Sequence, residues 1–358
     1  MSSKQQSALN LPAGRQANLD ALRVLSCFLV ILIHVSGAKW GAVEMGTLQW
    51  QIFNIYSAVA RCAVPLFVMM SGAAFLRRPQ PVPLSELFRK YIAHLLVVYV
   101  FWAALYAVDE ITLSALISRG GLKNLWQAIL RPKYHLWFLP RLIGTYFLLP
   151  LFWPFVHYKD GKYVKYACLM ALLLYFVPYT LAVIPQAEGV APFLKQFEFP
   201  LNSFACYALL GYWLSTANLR SISNWLLLLA WTLSVAAAAA WNGWYALGTG
   251  NQDAPVYQVT TLPSCLEAML MFLLFRNLSN AKIWKRCAGT LYILSRCTLG
   301  VYMLHVFVLE HLDRWFGVSS LSFQPLISIP LLSLAIFLLC LGVSALLRRI
   351  PLLGKWIV

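Results

Sequence analysis

The sequence predicts an all-α membrane protein, a polytopic bundle of about ten transmembrane helices with both termini in the cytoplasm. Hydrophobic residues make up 61% of the 358 residues and charged residues only 11%. A soluble domain of this length cannot bury that much apolar side chain. Apolar runs long enough to cross a bilayer recur along the chain. Most of the 28 lysines and arginines fall in alternate connections, which predicts that those connections face the cytoplasm.

The spans follow from the apolar runs and from the charge of the connections. Their approximate bounds are 18–38, 50–76, 91–108, 135–156, 166–184, 200–216, 224–241, 259–276, 290–311 and 326–347. No internal repeat is visible, so we interpret residues 18–358 as a single transmembrane domain. The preceding Ser- and Gln-rich tail, 1–17, is predicted to be a disordered cytoplasmic segment.

Composition and motifs narrow the function classes. A net charge of +16 can indicate nucleic-acid binding, but in a membrane protein positive cytoplasmic loops explain it. The expected surroundings are therefore the lipid bilayer, and no nucleic-acid partner is expected. The eight cysteines form no CxxC motif, and neither disulfides nor a metal site are expected. The sequence also lacks P-loop, GxSxG and HExxH motifs, so any chemistry must use base and positioning groups on helices.

The first span, Asp20 to His34, carries a polar stripe. Arg23 and His34 are eleven positions apart, about three helical turns, so they share one face at roughly 16 Å along the axis. Asp20 lies one turn before Arg23 on that face. Such a stripe is costly in lipid and is expected to face protein or water. The alternative is a surface Asp–Arg pair together with one hydrogen-bonded core histidine.

Counting from the predicted boundaries sorts the buried polar groups into two layers. The inner layer contains Asp20, Arg23 and Arg296, and its guanidinium groups suit an anionic ligand such as phosphate. The outer layer brings His34 and His305 to a similar depth, and imidazole suits proton transfer near neutral pH. The further candidates at middle or outer depth are Arg61, His135, Trp137, Arg141, Glu267 and Tyr302.

Two alternatives remain open at this point. Arg61, Arg141 and Glu267 can instead pair between helices, for example Arg61 with Glu267, because intramembrane charges usually pair. The segment LKNLWQAILRPKY within 109–134 has the apolar spacing of a helix on the membrane surface. It is either a cover over the bundle or an element that handles substrate.

Four motifs occur in order on the predicted spans. They are Arg23 to His34, VPLFVMMSGAAFL at 64–76, HLWFL at 135–139 with Tyr146 and Pro150, and SRCTLGVYMLH at 295–305. Together they resemble the acyltransferase-3 family of integral membrane acyltransferases over nearly the whole chain. Ala73 and Thr298 depart from the usual family residues. The size and the HLWFL form are most similar to the surface-polysaccharide branch, which includes the enterobacterial common antigen O-acetyltransferases.

The resemblance implies transfer of an acetyl group from cytoplasmic acetyl-CoA, as donor substrate, to a sugar hydroxyl in the bacterial inner (plasma) membrane. The acceptor is expected to be a cell-surface polysaccharide or its lipid-linked precursor, and no bound cofactor is expected. His34 is the expected general base, with Arg23 and His305 as further catalytic residues. The expected donor-binding residues are Asp20, Arg23 and Arg296. The expected acceptor or oxyanion residues are Arg61, His135, Trp137, Arg141, Glu267 and Tyr302.

Two other classes of protein also contain buried histidine and arginine. A proton-coupled transporter of a small anion or glycan precursor needs such groups near the membrane centre. It predicts inverted repeats and broken helices in matching halves, and the sequence shows neither. A non-catalytic membrane sensor does not need two polar layers. Acyl-CoA hydrolysis or transfer by the purified protein distinguishes the enzyme from both alternatives.

Overall fold

The computed structural model describes residues 15–357, with gaps at 111–120, 185–186, 188, 198, 220–221 and 253. All regular structure in these residues is helical, so the predicted all-α class is confirmed. The predicted disordered tail lies outside the described residues, apart from 15–17. The same holds for most of the predicted outer connection before Gly121.

The helices of the described chain vary in length from 6 to 35 residues. In chain order they are α1 Ala17–Ala38, α2 Leu48–Ala60, α3 Ala63–Leu76, α4 Leu84–Glu110, α5 Gly121–Leu130, α6 Phe138–His157, α7 Lys162–Leu181, α8 Val190–Lys195, α9 Ser203–Thr216, α10 Asn224–Thr249, α11 Leu262–Asn277, α12 Lys282–Phe316, α13 Pro325–Leu347 and α14 Pro351–Trp356.

Nine segments of the described chain are long and apolar enough to cross a membrane. The remaining predicted span corresponds to α9, which has only 14 residues. At about 1.5 Å per residue, α9 is too short to cross a bilayer of about 30 Å by itself. Its side chains are almost all buried, so α9 is an internal helix of the bundle.

Helix α1 lies at the centre of the bundle and packs against α2, α3, α11, α12 and α13. Leu22, Ile31 and Val35 are at most 1% exposed. Polar side chains are costly in lipid, and neighbouring helices surround α1. The polar groups of α1 therefore face protein or an internal cavity, as the stripe predicts.

The second predicted span, 50–76, is not one continuous helix. Helix α2 ends at Ala60 and α3 begins at Ala63, which leaves Arg61 at a break. Pro65 has no N–H, so the carbonyl of Arg61 cannot accept the usual hydrogen bond from four residues ahead. The length of the apolar run does not reveal this break, whereas Pro65 is a signal of it in the sequence. The break places a guanidinium group inside the bundle.

The predicted end of the seventh span, residue 241, is too early. Helix α10 continues to Thr249 and ends where Gly250 adopts a left-handed conformation with φ of 68°. Propensity does not explain the extension, because this stretch includes Gly243 and Gly248. Asn242 donates to Asn54 of α2 at 3.0 Å, so contact with a neighbouring helix supports the added turns. Gly250 ends the helix because glycine adopts the left-handed conformation readily. Residues 242–249, which the predicted bounds assign to a connection, therefore belong to the last turns of α10.

Candidate active site

Three histidine rings from separate elements meet near the end of the bundle where α1 finishes. His34 comes from α1, His305 from α12, and His135 from the 3₁₀ turn Tyr134–Trp137 that leads into α6. The ring centroids of His34 and His305 are 5.0 Å apart. His135 lies 5.3 Å from His305 and 6.4 Å from His34. The structure thus joins the two outer-layer histidines and adds a third.

The hydrogen bonds of His305 identify its tautomer. Its Nδ1 lies 2.6 Å from the backbone carbonyl oxygen of Tyr302. A carbonyl only accepts, so Nδ1 carries a hydrogen and Nε2 of the neutral ring has a free lone pair. Nε2 is buried and has no partner among the described groups. The Tyr302 hydroxyl donates to the His135 carbonyl at 2.5 Å, so Tyr302 holds both His305 and His135 in place.

His135 is held by its backbone and by the residue before the turn. Its ring is 1% exposed, and neither ring nitrogen has a partner among the described groups. Lys133 Nζ contacts Glu110 at 2.6 Å and Glu310 at 2.8 Å. Partial burial lowers the pKa of Lys133, but these hydrogen bonds outweigh burial and hold the pKa above its usual value. The resulting bridge ties the turn that carries His135 to α4 and α12.

A cavity of about 500 Å³ opens beside the histidines. His34 and Arg61 line it toward the middle of the bundle, and Lys39 and Asp313 line it toward the end. Lys39 Nζ contacts Asp313 at 2.7 Å. His34 is the member of the histidine cluster that lines this cavity, so it is the one placed to meet a substrate.

Arg61 and Glu267 form no ion pair within 4 Å, but their opposite charges lie in electrostatic range of each other, so the helix-to-helix pairing that the sequence left open exists only as a longer-range interaction. Arg61 Nη2 donates to Ser57 at 2.6 Å, and its guanidinium lies 5.0 Å from the Tyr257 ring centroid. Glu267 is 1% exposed, and its Oε2 has no partner among the described groups. Arg61 therefore remains directed to the cavity that it shares with His34.

Trp137 and Arg141 lie beside this cluster but do not line the cavity. The Arg141 guanidinium is 5.0 Å from the Trp137 ring centroid. Trp137 packs edge to face on Phe204 of α9 at 5.8 Å. These two candidate residues therefore form a neighbouring surface between α6 and α9.

At the opposite end of α1, Asp20 is 4% exposed and accepts two hydrogen bonds from Arg15, both at 2.7 Å. Arg23 Nη1 lies 3.8 Å from the same carboxylate, which matches the predicted spacing of one turn. Arg15 is not among the predicted site residues, because it falls in the predicted disordered tail. Asp20 thus anchors two arginines.

Arg296 lines a cavity to which Arg23 does not contribute. Arg296 is exposed, and its guanidinium lies 5.5 Å from the Tyr292 ring centroid. Arg23 instead lies in electrostatic range of Tyr146 on α6. His34 contacts Tyr134, 5.3 Å away between ring centroids, just before α6. Arg23 and His34 therefore both face α6, as their spacing along α1 requires.

Comparison with known families adds an independent observation. A family model described as an acyltransferase domain, from the acyltransferase-3 family, matches residues 16–349. The match covers every residue of the histidine cluster and its cavity. Searches of characterised proteins and of solved structures give no match. The chain therefore belongs to the acyltransferase-3 family and is a multi-pass membrane acyltransferase.

Proposed function

We propose that this protein is an O-acetyltransferase that moves an acetyl group from acetyl-CoA to a sugar hydroxyl, with His34 as general base. The acceptor is a cell-surface polysaccharide or its lipid-linked precursor, and the site of action is the bacterial inner membrane. The supporting observation is the position of His34 in an open cavity, with two other histidines at ring-centroid distances of 5.0 and 6.4 Å. A general base must reach the proton that it removes, and His34 is accessible from the cavity.

In the proposed reaction His34 removes the proton of the sugar hydroxyl as the oxygen attacks the thioester carbonyl. The oxyanion that forms is stabilised by Arg61, which lines the same cavity. The intermediate collapses with cleavage of the C–S bond, and the proton held by His34 passes to the CoA thiolate. His305, fixed by the Tyr302 carbonyl, supports the ring of His34. This sequence needs one base and no other co-reactant.

The geometry of α1 also fits a donor that enters from the end where the chain begins. Arg23 and His34 are separated by about three turns, roughly 16 Å along the axis. An extended pantetheine arm has a length of the same order. The phosphates can therefore remain near the basic end while the thioester reaches the histidines. Charged phosphates then need not enter the apolar centre of the bundle, where an unpaired charge is costly.

The test compares His34→Gln with wild-type protein, both purified in nanodiscs, in transfer of labelled acetyl from acetyl-CoA to a glycan acceptor. A general base contributes about 10²–10⁴-fold to rate, so His34→Gln is expected to lose at least about a hundredfold. His157→Gln is the matched control, because His157 is an exposed histidine outside the cavity and makes the same substitution at a residue with no assigned role. Retention of more than a tenth of the rate by folded His34→Gln would exclude His34 as the base.

A second measurement identifies the acceptor. Mass spectrometry of surface glycans from cells with and without the gene should reveal a mass difference of one acetyl group per modified sugar. Loss of that difference in the His34→Gln strain links the modification to this site. An unchanged glycan profile would remove polysaccharide acetylation from the proposal.

A further inference from the structure

A second cavity, of about 570 Å³, lies at the end of the bundle where α1 begins. It is lined by Tyr292 and Arg296 of α12, by Arg348 and Arg349, and by Pro351 and Gly354 of α14. Among the described residues, those that line it include three arginines and no carboxylate. The cavity beside the histidines contains charges of both signs, whereas the described charged residues that line this second cavity are all arginines.

The chain builds this cavity with specific backbone contacts. Arg348 Nη1 donates to the carbonyl of Arg296 at 3.0 Å, which ties the end of α13 to α12. At Gly354 a Cβ would lie 2.5 Å from the carbonyl oxygen of Arg348, so only glycine lets α14 fold back this closely. Trp102 of α4 donates to the carbonyl of Ile357 at 3.0 Å and anchors the far end of α14. The wall formed by α14 is therefore fixed.

The electrostatics favour an anion in this position. Partial burial and then the neighbouring Arg296 guanidinium lower the pKa of Arg348. Arg15 adds a further guanidinium on the other side, 4.4 Å from the Tyr292 ring centroid. The nearby carboxylate of Asp20 is already paired with Arg15 and Arg23. Arginines concentrated in this way bind phosphate groups well, because each guanidinium presents a planar fork of donors.

We propose that Arg296, Arg348 and Arg349 form a phosphate-binding site that is separate from the histidine cluster. The chemistry that it recognises is a phosphate ester. Two sources carry such a group to this end of a membrane protein. One is the nucleotide part of coenzyme A, an assignment that rests on the proposed function. The other is the headgroup of an anionic phospholipid, which needs no assumption about the reaction.

The experiment uses the double variant Arg296→Gln/Arg349→Gln of the full-length protein. Arg348 is left intact because it holds α12 to α13. The matched control is Arg77→Gln/Arg89→Gln, which removes two exposed arginines at the same end but outside the cavity. In one arm, calorimetry measures binding of free coenzyme A to protein in phosphatidylcholine nanodiscs. In the other, native mass spectrometry measures retained phosphatidylglycerol in detergent.

The two arms identify the source of the phosphate. A loss of coenzyme A affinity of at least tenfold in the double variant, with the control unchanged, assigns the site to the nucleotide phosphates. Loss of retained phosphatidylglycerol with unchanged coenzyme A affinity assigns it to a lipid headgroup. Unchanged values in both arms would overturn the proposal.

A further variant guards against a folding defect. Arg296→Lys/Arg349→Lys keeps both charges but loses the planar forks, so its binding should fall between wild type and the glutamine variant. Size-exclusion chromatography confirms that each protein is folded before binding is measured. The transfer rate of His34→Gln is measured separately. Its outcome tests the base and leaves the phosphate-binding result unaffected.

Discussion

Replacement of Gly72 by alanine tests how closely α3 and α9 approach each other. A Cβ at Gly72 would lie 2.1 Å from the carbonyl oxygen and 2.6 Å from the Cα of Ala208 on α9. A Cβ at Gly211 on α9 would lie 2.0 Å from the carbonyl oxygen of Met69 on α3. Favourable carbon contacts are about 3.5–4.0 Å, so the helices must separate by more than about 1 Å to admit one methyl group.

The expected cost follows from these distances. Overpacking a well-packed core costs about 1–3 kcal/mol, while alanine gains about 0.5–1 kcal/mol over glycine in a helix interior. The obstructing atoms belong to backbone, so no side-chain rotation relieves the contact. The difference between these figures is about 0–2.5 kcal/mol, and the rigid backbone obstruction favours the upper part of that range. The shift also reaches the site, because Phe204 of α9 packs on Phe138 at the start of α6 with 5.9 Å between ring centroids.

The assay is the fraction of purified protein that remains monodisperse after heating, measured by size-exclusion chromatography over a temperature series. The matched control is Gly144→Ala in α6, since a Cβ at Gly144 meets nothing within 4 Å. Gly144→Ala should match or slightly exceed wild-type stability. Gly72→Ala should lose both thermal stability and transfer activity. Equal stability of the two variants would refute the inferred backbone contact between α3 and α9.

Four further changes test other parts of the structure. His305→Asn keeps a donor for the Tyr302 carbonyl but removes Nε2. A transfer rate below wild type at unchanged thermal stability would show that Nε2 contributes to transfer. An unchanged transfer rate would limit the role of His305 to its backbone hydrogen bond. Lys133→Met removes the partner of both Glu110 and Glu310, so it should lower the melting temperature near neutral pH. In wild type the raised pKa of Lys133 keeps its ammonium charged through neutral pH, so the contribution of Lys133 is lost as pH rises through that pKa, and a pH series of melting temperatures checks the sign. Pro65→Ala permits a continuous second span and should lower transfer by moving Arg61, with no loss of protein from the membrane. One alanine inserted after Leu29 rotates His34 by about 100° relative to Arg23 and should abolish transfer. Normal transfer by that protein would show that the spacing between Arg23 and His34 has no role in the reaction.

Much of the fold was accessible from the sequence because a bilayer imposes strong constraints. Apolar length and loop charge predict where helices cross, and the polar stripe of α1 predicts that this helix faces protein rather than lipid. Helical periodicity also predicted that Asp20, Arg23 and His34 lie on one face of α1. In the structure Arg23 lies beside Asp20, and His34 contacts Tyr134 just before α6. These features depend on local geometry, which the sequence determines almost directly.

Features that depend on distant partners were harder to predict. In the sequence Lys133 is indistinguishable from an ordinary loop lysine, because its contacts with Glu110 and Glu310 form only in the folded protein. The same is true of Arg15, which contacts Ser295 at 2.8 Å across most of the chain length. Loop charge predicts topology but carries no information on which loops meet. His135 was expected at the outer mouth of its span, but its contact with His305 required the tertiary structure.

The buried polar groups around His34 lower the stability of the fold, and the proposed proton transfer gives a reason for their presence. Both ring nitrogens of His135 and Nε2 of His305 are buried without a partner among the described groups. A buried polar group without a partner costs about 1–3 kcal/mol, and an apolar ring of similar size avoids that cost. His135→Phe keeps the backbone carbonyl that accepts from Tyr302, so it should match or exceed wild-type thermal stability. If these histidines are retained for proton transfer, the same variant should lose acetyl transfer; a variant that loses stability and activity together would instead make His135 a structural residue.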